Sequence, residues 1–140
     1  MSYTAELTLK VRDYECDLQG IVNNSVYQNY LEHARHEWLE EIGMSFAQMH
    51  IDGIDAVVAK VEIEYKSPLK SGDWFVCGLN VERIGNLRFV FHQEIRRKSD
   101  QKLMVKATVI STTTKVENGR PCFCPQLAEV FDKYSSVKPI

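Results

Sequence analysis

The chain has 140 residues and a mass of 16.1 kDa, with 44% apolar and 26% charged residues, the proportions of one globular domain over residues 1–140 with a core of its own. A formal net charge of −2 offers no concentrated basic face, so nucleic acid is not an expected partner. No apolar run approaches the roughly 18 residues that span a bilayer, and the opening MSYTAELTLK carries no signal-peptide h-region, so no membrane association and a cytoplasmic location are expected.

In chain order, TAELTLKVR over 4–12 alternates weakly and predicts a first strand. The stretch CDLQGIV then places a lone carboxylate, Asp17, ahead of Gly20. Two readings stand. Asp17 can tighten an Asx-turn with its own backbone, or a site can use its charge, with Gly20 as the hinge that doubles the chain back toward the next element.

That element is a helix. Tyr27, Tyr30, Leu31, Ala34, Trp38 and Ile42 recur at helical spacing and form a stripe roughly 120° wide, with Asn29, Glu32, His36 and Glu40 on the far side. Ser25 followed by Gln28 fits a capping box, which predicts a start near Asn24 or Ser25, and Gly43 supplies a stop. His33 and His36 fall on the polar side and read as solvated rather than as metal ligands.

Four alternating runs follow, apolar at positions 57–65, 75–81, 89–95 and 103–109, each the pattern of a half-buried antiparallel strand. SPLKSGD, IGN and KSDQ connect them with turn residues, and a short helix is predicted over 126–133. One apolar helix stripe and one apolar sheet face satisfy each other when five antiparallel strands curl around a single long helix, an α+β domain. Cys122 and Cys124 stand too close for the usual zinc pair, and no second pair exists, so the four cysteines are expected as free structural thiols with no metal.

Three segments carry a family resemblance. Asp17-Leu-Gln-Gly20-Ile-Val-Asn-Asn24-Ser-Val-Tyr27, followed by Ala34-Arg35, resembles a D-x-x-G-[IV]-V-x-x-x-x-Y signature. Tyr65-Lys-Ser-Pro68-Leu-Lys-Ser-Gly72-Asp73 is similar to a Y-x-x-P-x-x-x-G-D turn, and Gly119-Arg120-Pro121 with Cys124-Pro125-Gln126 to a closing segment. In this order they resemble the hotdog-fold acyl-CoA thioesterases of the 4-hydroxybenzoyl-CoA thioesterase-like branch. Where bacterial members of the Tol–Pal-associated group carry histidine and the 4-hydroxybenzoyl type an aromatic residue, this chain has Asn24. Proton transfer by a histidine at that position is therefore not expected.

The resemblance implies a hotdog fold and hydrolysis of an acyl-CoA to free acid and CoA, with no cofactor, since CoA is part of the substrate. Asp17 is the implied nucleophile or general base; both roles stay open. The Asn24 backbone N–H, with Val22 or Asn23 beside it, is the implied oxyanion hole, which fits the unpaired amides and positive dipole end of any helix start. Tyr14, Gly20, Asn23, Tyr27, Tyr30, Lys60, Tyr65 and Ser67 are the implied substrate-binding residues. A homodimer or homotetramer is implied, its active sites between subunits, with residues 60–67 facing the neighbour's Asp17. Cys16 lacks a neighbouring base and reads as packing. Arg83, Arg88, Arg96, Arg97 and Lys98 form either a solvated edge or a seat for the CoA phosphates. An acyl carrier protein donor and a non-catalytic acyl-CoA-binding hotdog protein are the alternatives; a hotdog dehydratase is disfavoured because its paired histidine is missing.

Overall fold

The computed structural model describes residues 3–135. Strand β1 (Ala5–Lys10) leads through a 3-10 turn (Asp13–Glu15) to the long helix α1 (Asn24–Glu41) and a short helix α2 (Phe46–Ile51). Strands β2 (Ile54–Tyr65), β3 (Trp74–Ile84), β4 (Arg88–Arg97) and β5 (Leu103–Lys115) follow, and helix α3 (Pro125–Tyr134) closes the order. The strands form one antiparallel sheet in the order β1-β3-β4-β5-β2, curled around α1. This is the hotdog arrangement.

Alternation builds the sheet's inner face. Phe75, Cys77, Leu79 and Val81 of β3, Phe89, Phe91 and Ile95 of β4, and Val105, Ala107 and Val109 of β5 are all buried. Against them α1 lays Tyr27, Tyr30, Leu31, Ala34 and Trp38, the predicted stripe. Each large side chain so enclosed contributes about 1.5–3 kcal/mol from the water it sheds. Trp38 meets Phe91 and Phe131 edge-on, with ring centroids 6.2 and 6.0 Å apart. Phe131 of α3 also packs against Phe89 at 5.1 Å, so the last helix plugs one end of the sheet. Pro125 opens α3 where the missing N–H costs nothing.

The capping box at Ser25 does not form. The N-cap is Asn23, no side chain caps the helix, and Ser25 lies within its first turn. The other end agrees with the pattern: Gly43 takes φ +81°, its N–H reaches Glu40 O at 3.1 Å, and Met44 N–H reaches Leu39 O at 2.9 Å, a Schellman ending. Helix α2 has only Met49 buried, so it leaves no periodic trace in the sequence.

Strand β2 departs most from its pattern. Its alternate apolar positions 57, 59, 61, 63 and 65 were expected inward, yet Val57, Val61 and Tyr65 are 42, 39 and 45% exposed, and Val58 between them is 49% exposed. The strand lies at the sheet's edge, and a bulge between Val58 and Lys60 breaks the alternation. Helix α1 packs chiefly on β3 and β1, which leaves the crease toward β2 open. All four cysteines are free thiols.

Candidate active site

The segment from Cys16 to Val22 is a tight hairpin laid against the turn before β3. Cys16 pairs with Val22 and Ile21 with Lys70. Asp17 N–H donates to Ile21 O at 2.9 Å and Gly20 N–H to Asp17 O at 3.0 Å. The Asp17 carboxylate accepts Gln19 N–H at 2.8 Å and Ile21 N–H at 3.4 Å through Oδ1. This is an Asx-type turn, and Gly20 closes it at φ +80°, where a side chain is strained. Asp17 is nonetheless exposed, and no bond to its Oδ2 occurs among the described residues. A turn-forming carboxylate and an available charge coexist in one residue.

The hairpin hands the chain to α1 with an uneven set of amides. Val22 N–H is taken by Leu69 O and Asn23 N–H by Glu15 O, each at 3.0 Å. Neither can join an oxyanion hole as the structure stands, because its hydrogen already has a backbone acceptor. Asn24 and Ser25 N–H have no acceptor among the described residues. The donor beside Asn24 is therefore Ser25, a residue that the sequence marked only as a cap.

Beside these amides lies a cavity of about 150 Å³ lined by Ile21, Val22, Asn24, Tyr27, Tyr65 and Ser67. Tyr27 forms its floor: its ring stands 5.6 Å from that of Tyr65, and its hydroxyl accepts Leu69 N–H at 2.9 Å. Burial pushes the Tyr27 phenol above its ordinary pKa, so it stays protonated. The Tyr65 hydroxyl donates to Asn24 O at 3.4 Å. Asp17 sits on the hairpin next to this cavity rather than in its lining.

The other expected residues lie farther off. Tyr14 is 74% exposed and is held by Arg12 through a hydrogen bond. Tyr30 is buried; its hydroxyl donates to Glu15 Oε1 at 2.8 Å, and burial together with that bond raises its pKa. Lys60 is exposed on β2 and pairs with Glu62 at 2.9 Å. Of the basic cluster, Arg83 is bound to Asp132, Arg96 to Glu94 and Arg97 to Asp100. Burial, then the neighbouring acids Asp13 and Asp17, raise the Cys16 pKa, so the thiolate needed for a cysteine nucleophile is disfavoured. No cluster of metal-ligating side chains occurs among the described residues.

A curled five-stranded sheet around one long helix, with a cavity where that helix begins, defines the class of hotdog-fold proteins. Comparison with known proteins narrows it: the model of the thioesterase superfamily matches residues 19–104, and the chain belongs to that family. It is 38% identical over 111 residues to the chloroplastic acyl-acyl carrier protein thioesterase ATL3 of Arabidopsis thaliana, a match covering 79% of this chain and 58% of that protein. The chain thus spans little more than half of that relative's length. It is 28% identical to the long-chain acyl-CoA thioesterase FadM of Escherichia coli, across 72% of this chain and 76% of that one. Among solved structures, a 1,4-dihydroxy-2-naphthoyl-CoA thioesterase from Synechocystis superposes with a TM-score of 0.84 at 17% identity, covering 89% of this chain and 92% of that one, a likeness of fold. No helix among the described residues is long and apolar enough to cross a membrane.

Proposed function

We propose that this thioesterase hydrolyses an acyl-CoA at the entrance of α1. The observation that carries the reading is the pair of unpaired amides, Asn24 and Ser25 N–H, at the positive end of an 18-residue helix beside a small cavity. A thioester carbonyl seated there gains negative charge on its oxygen in the transition state, and preorganised N–H donors hold that charge without rearranging.

Asp17 supplies the other half. As general base it takes a proton from water, whose oxygen bonds to the carbonyl carbon. The C–S bond then breaks, and the electron pair leaves on sulfur, which takes the proton as CoA thiol. As nucleophile it would first form a mixed anhydride that water hydrolyses; the products are the same. No cofactor enters either route. Tyr27, Tyr65 and Ser67 border the acyl side of the cavity, and Gly20 and Asn23 shape the hairpin that positions Asp17. Tyr14 and Lys60, both exposed, we assign to the outer wall that a second copy completes, while Tyr30, enclosed in the core and bound to Glu15, supports the helix entrance from behind.

That second copy is part of the proposal. Strand β2, paired with β5 on one side and free on the other among the described residues, carries exposed Val61 and offers backbone and apolar surface to an identical strand. Pairing two β2 edges brings the neighbour's residues 60–67 toward Asp17, in a homodimer or a tetramer of two such dimers.

Acyl carrier protein is the second reading for the donor, favoured by the name of the Arabidopsis relative. Steady-state hydrolysis of one acyl chain on both carriers tests the proposal. A kcat/KM at least tenfold higher on CoA supports it, the reverse ratio moves the donor to the carrier protein, and hydrolysis of neither removes the enzyme reading.

A further inference from the structure

Three turns beyond Asn24, about 16 Å along α1 at 1.5 Å per residue, the buried stripe carries a charge. Arg35 is 9% exposed and lies among Leu31, Ala34, Trp38 and Leu39. Its Nη1 donates to Gln93 Oε1 at 3.0 Å, and Gln93 Nε2 donates onward to Leu31 O at 3.0 Å, a chain that ties helix to sheet. The guanidinium carbon stands 5.8 Å from the Phe91 ring centre. No carboxylate lies within ion-pair distance among the described residues; Glu32, at the rim, faces His36 at 3.9 Å instead.

Nε and Nη2 of Arg35 have no protein acceptor among the described residues. No fully enclosed side-chain nitrogen or oxygen is left without a partner there, so these two groups open into the adjoining space. That space is a cavity of about 250 Å³ of mixed character, with Leu39, Phe46, Ala56, Val58 and Phe91 on its apolar side and Glu32, His36 and Ser111 on its polar side. A neutral side chain could hold Gln93 as well. Burying a guanidinium is costly, and its donors that face a cavity recover part of that cost when an acceptor occupies it.

We propose that this cavity receives an oxygen acceptor at the far end of the substrate's acyl group, a hydroxyl or a carboxylate. The proposal rests on the acyl-thioester reading above and adds to it the class of acyl group. Both cavities lie between α1 and β2, as separate spaces: the first between Asn24, Tyr27 and Tyr65, the second between Arg35, Leu39 and Val58. An acyl chain whose carbonyl rests at Asn24 and which follows α1 ends at Arg35. Because Glu32 already offsets part of the charge, the unmet requirement is for hydrogen bonds, which a hydroxyl meets once and a carboxylate meets in bidentate form.

The test compares kcat/KM for dodecanoyl-CoA and its ω-hydroxy and ω-carboxy counterparts, in the wild type, Arg35→Met, Arg35→Lys and the cavity-filling Ala56→Leu. The wild type should prefer at least one oxygenated chain tenfold or more, and the preferred arm identifies the group. Arg35→Met and Ala56→Leu should each bring that ratio within threefold of one, and Arg35→Lys should leave it intermediate. If Arg35→Met does not fold, Ala56→Leu still decides, since it leaves the guanidinium bonded to Gln93. Good hydrolysis of dodecanoyl-CoA with no preference in the wild type, or a preference that survives both substitutions, overturns this inference alone. Hydrolysis of none of the three overturns the thioesterase reading and this inference with it.

Discussion

The Tyr27 hydroxyl accepts the backbone N–H of Leu69 at 2.9 Å, joining the first turn of α1 to the turn before β3 beneath the helix-entrance cavity. Leu69 is wholly buried, so no water replaces that acceptor. Tyr27→Phe should therefore cost about 1–3 kcal/mol, the penalty of an unsatisfied buried donor. Urea denaturation measures it; an unchanged midpoint would show that the N–H finds another acceptor.

The exposed edge of β2 gives a prediction that separates assembly from folding. Val61→Lys puts a charge on a residue already 39% exposed in the single chain, so an isolated subunit should keep its fold. A dimer paired through β2 should dissociate and lose most of its activity. Light scattering and an acyl-CoA assay on one sample decide this. A stable, fully active monomer contradicts shared sites.

Acid should weaken the fold through three carboxylates, of which Glu64 is held below its ordinary value by hydrogen bonding to Lys66. Hydrogen bonding to Arg97 holds Asp100 at about 2, and hydrogen bonding to Arg83 holds Asp132 below its ordinary value. A depressed carboxylate pKa stabilises the folded state above the unfolded value and loses that contribution as pH falls through the folded one. Stability should then fall from about pH 4 toward pH 2. In Asp132→Asn the fall should be shallower, because one of the three groups no longer titrates. Thermal melts across that range provide the check.

How much of this was legible beforehand depends on which force set each feature. The stripe Tyr27, Tyr30, Leu31, Ala34, Trp38 and the alternation Phe75, Cys77, Leu79, Val81 report burial directly, so α1 and β3 emerged with the right faces. In β2 the same alternation misled, because the strand lies at the sheet's edge and a bulge breaks its register, leaving Val57 and Val61 exposed in the single chain. Arg35 is the opposite case: a charge inside an apolar stripe, whose burial depends on Gln93, a residue 58 positions away. The free amides at the helix start were half legible. A helix start promises free amides, but which ones stay free was decided by Leu69 O and Glu15 O, acceptors brought by tertiary folding. Asp17 carried both of its readings into the structure, where its Oδ1 shapes the turn and its charge stays exposed.

Asp17→Asn tests the central claim most directly, because asparagine keeps an oxygen for the Gln19 amide and removes only the charge. With an acyl-CoA that the wild type hydrolyses, the variant should fold with an unchanged melting temperature and turn over at least about a hundredfold more slowly, the scale of a lost base or nucleophile. Turnover within threefold of the wild type would contradict the account.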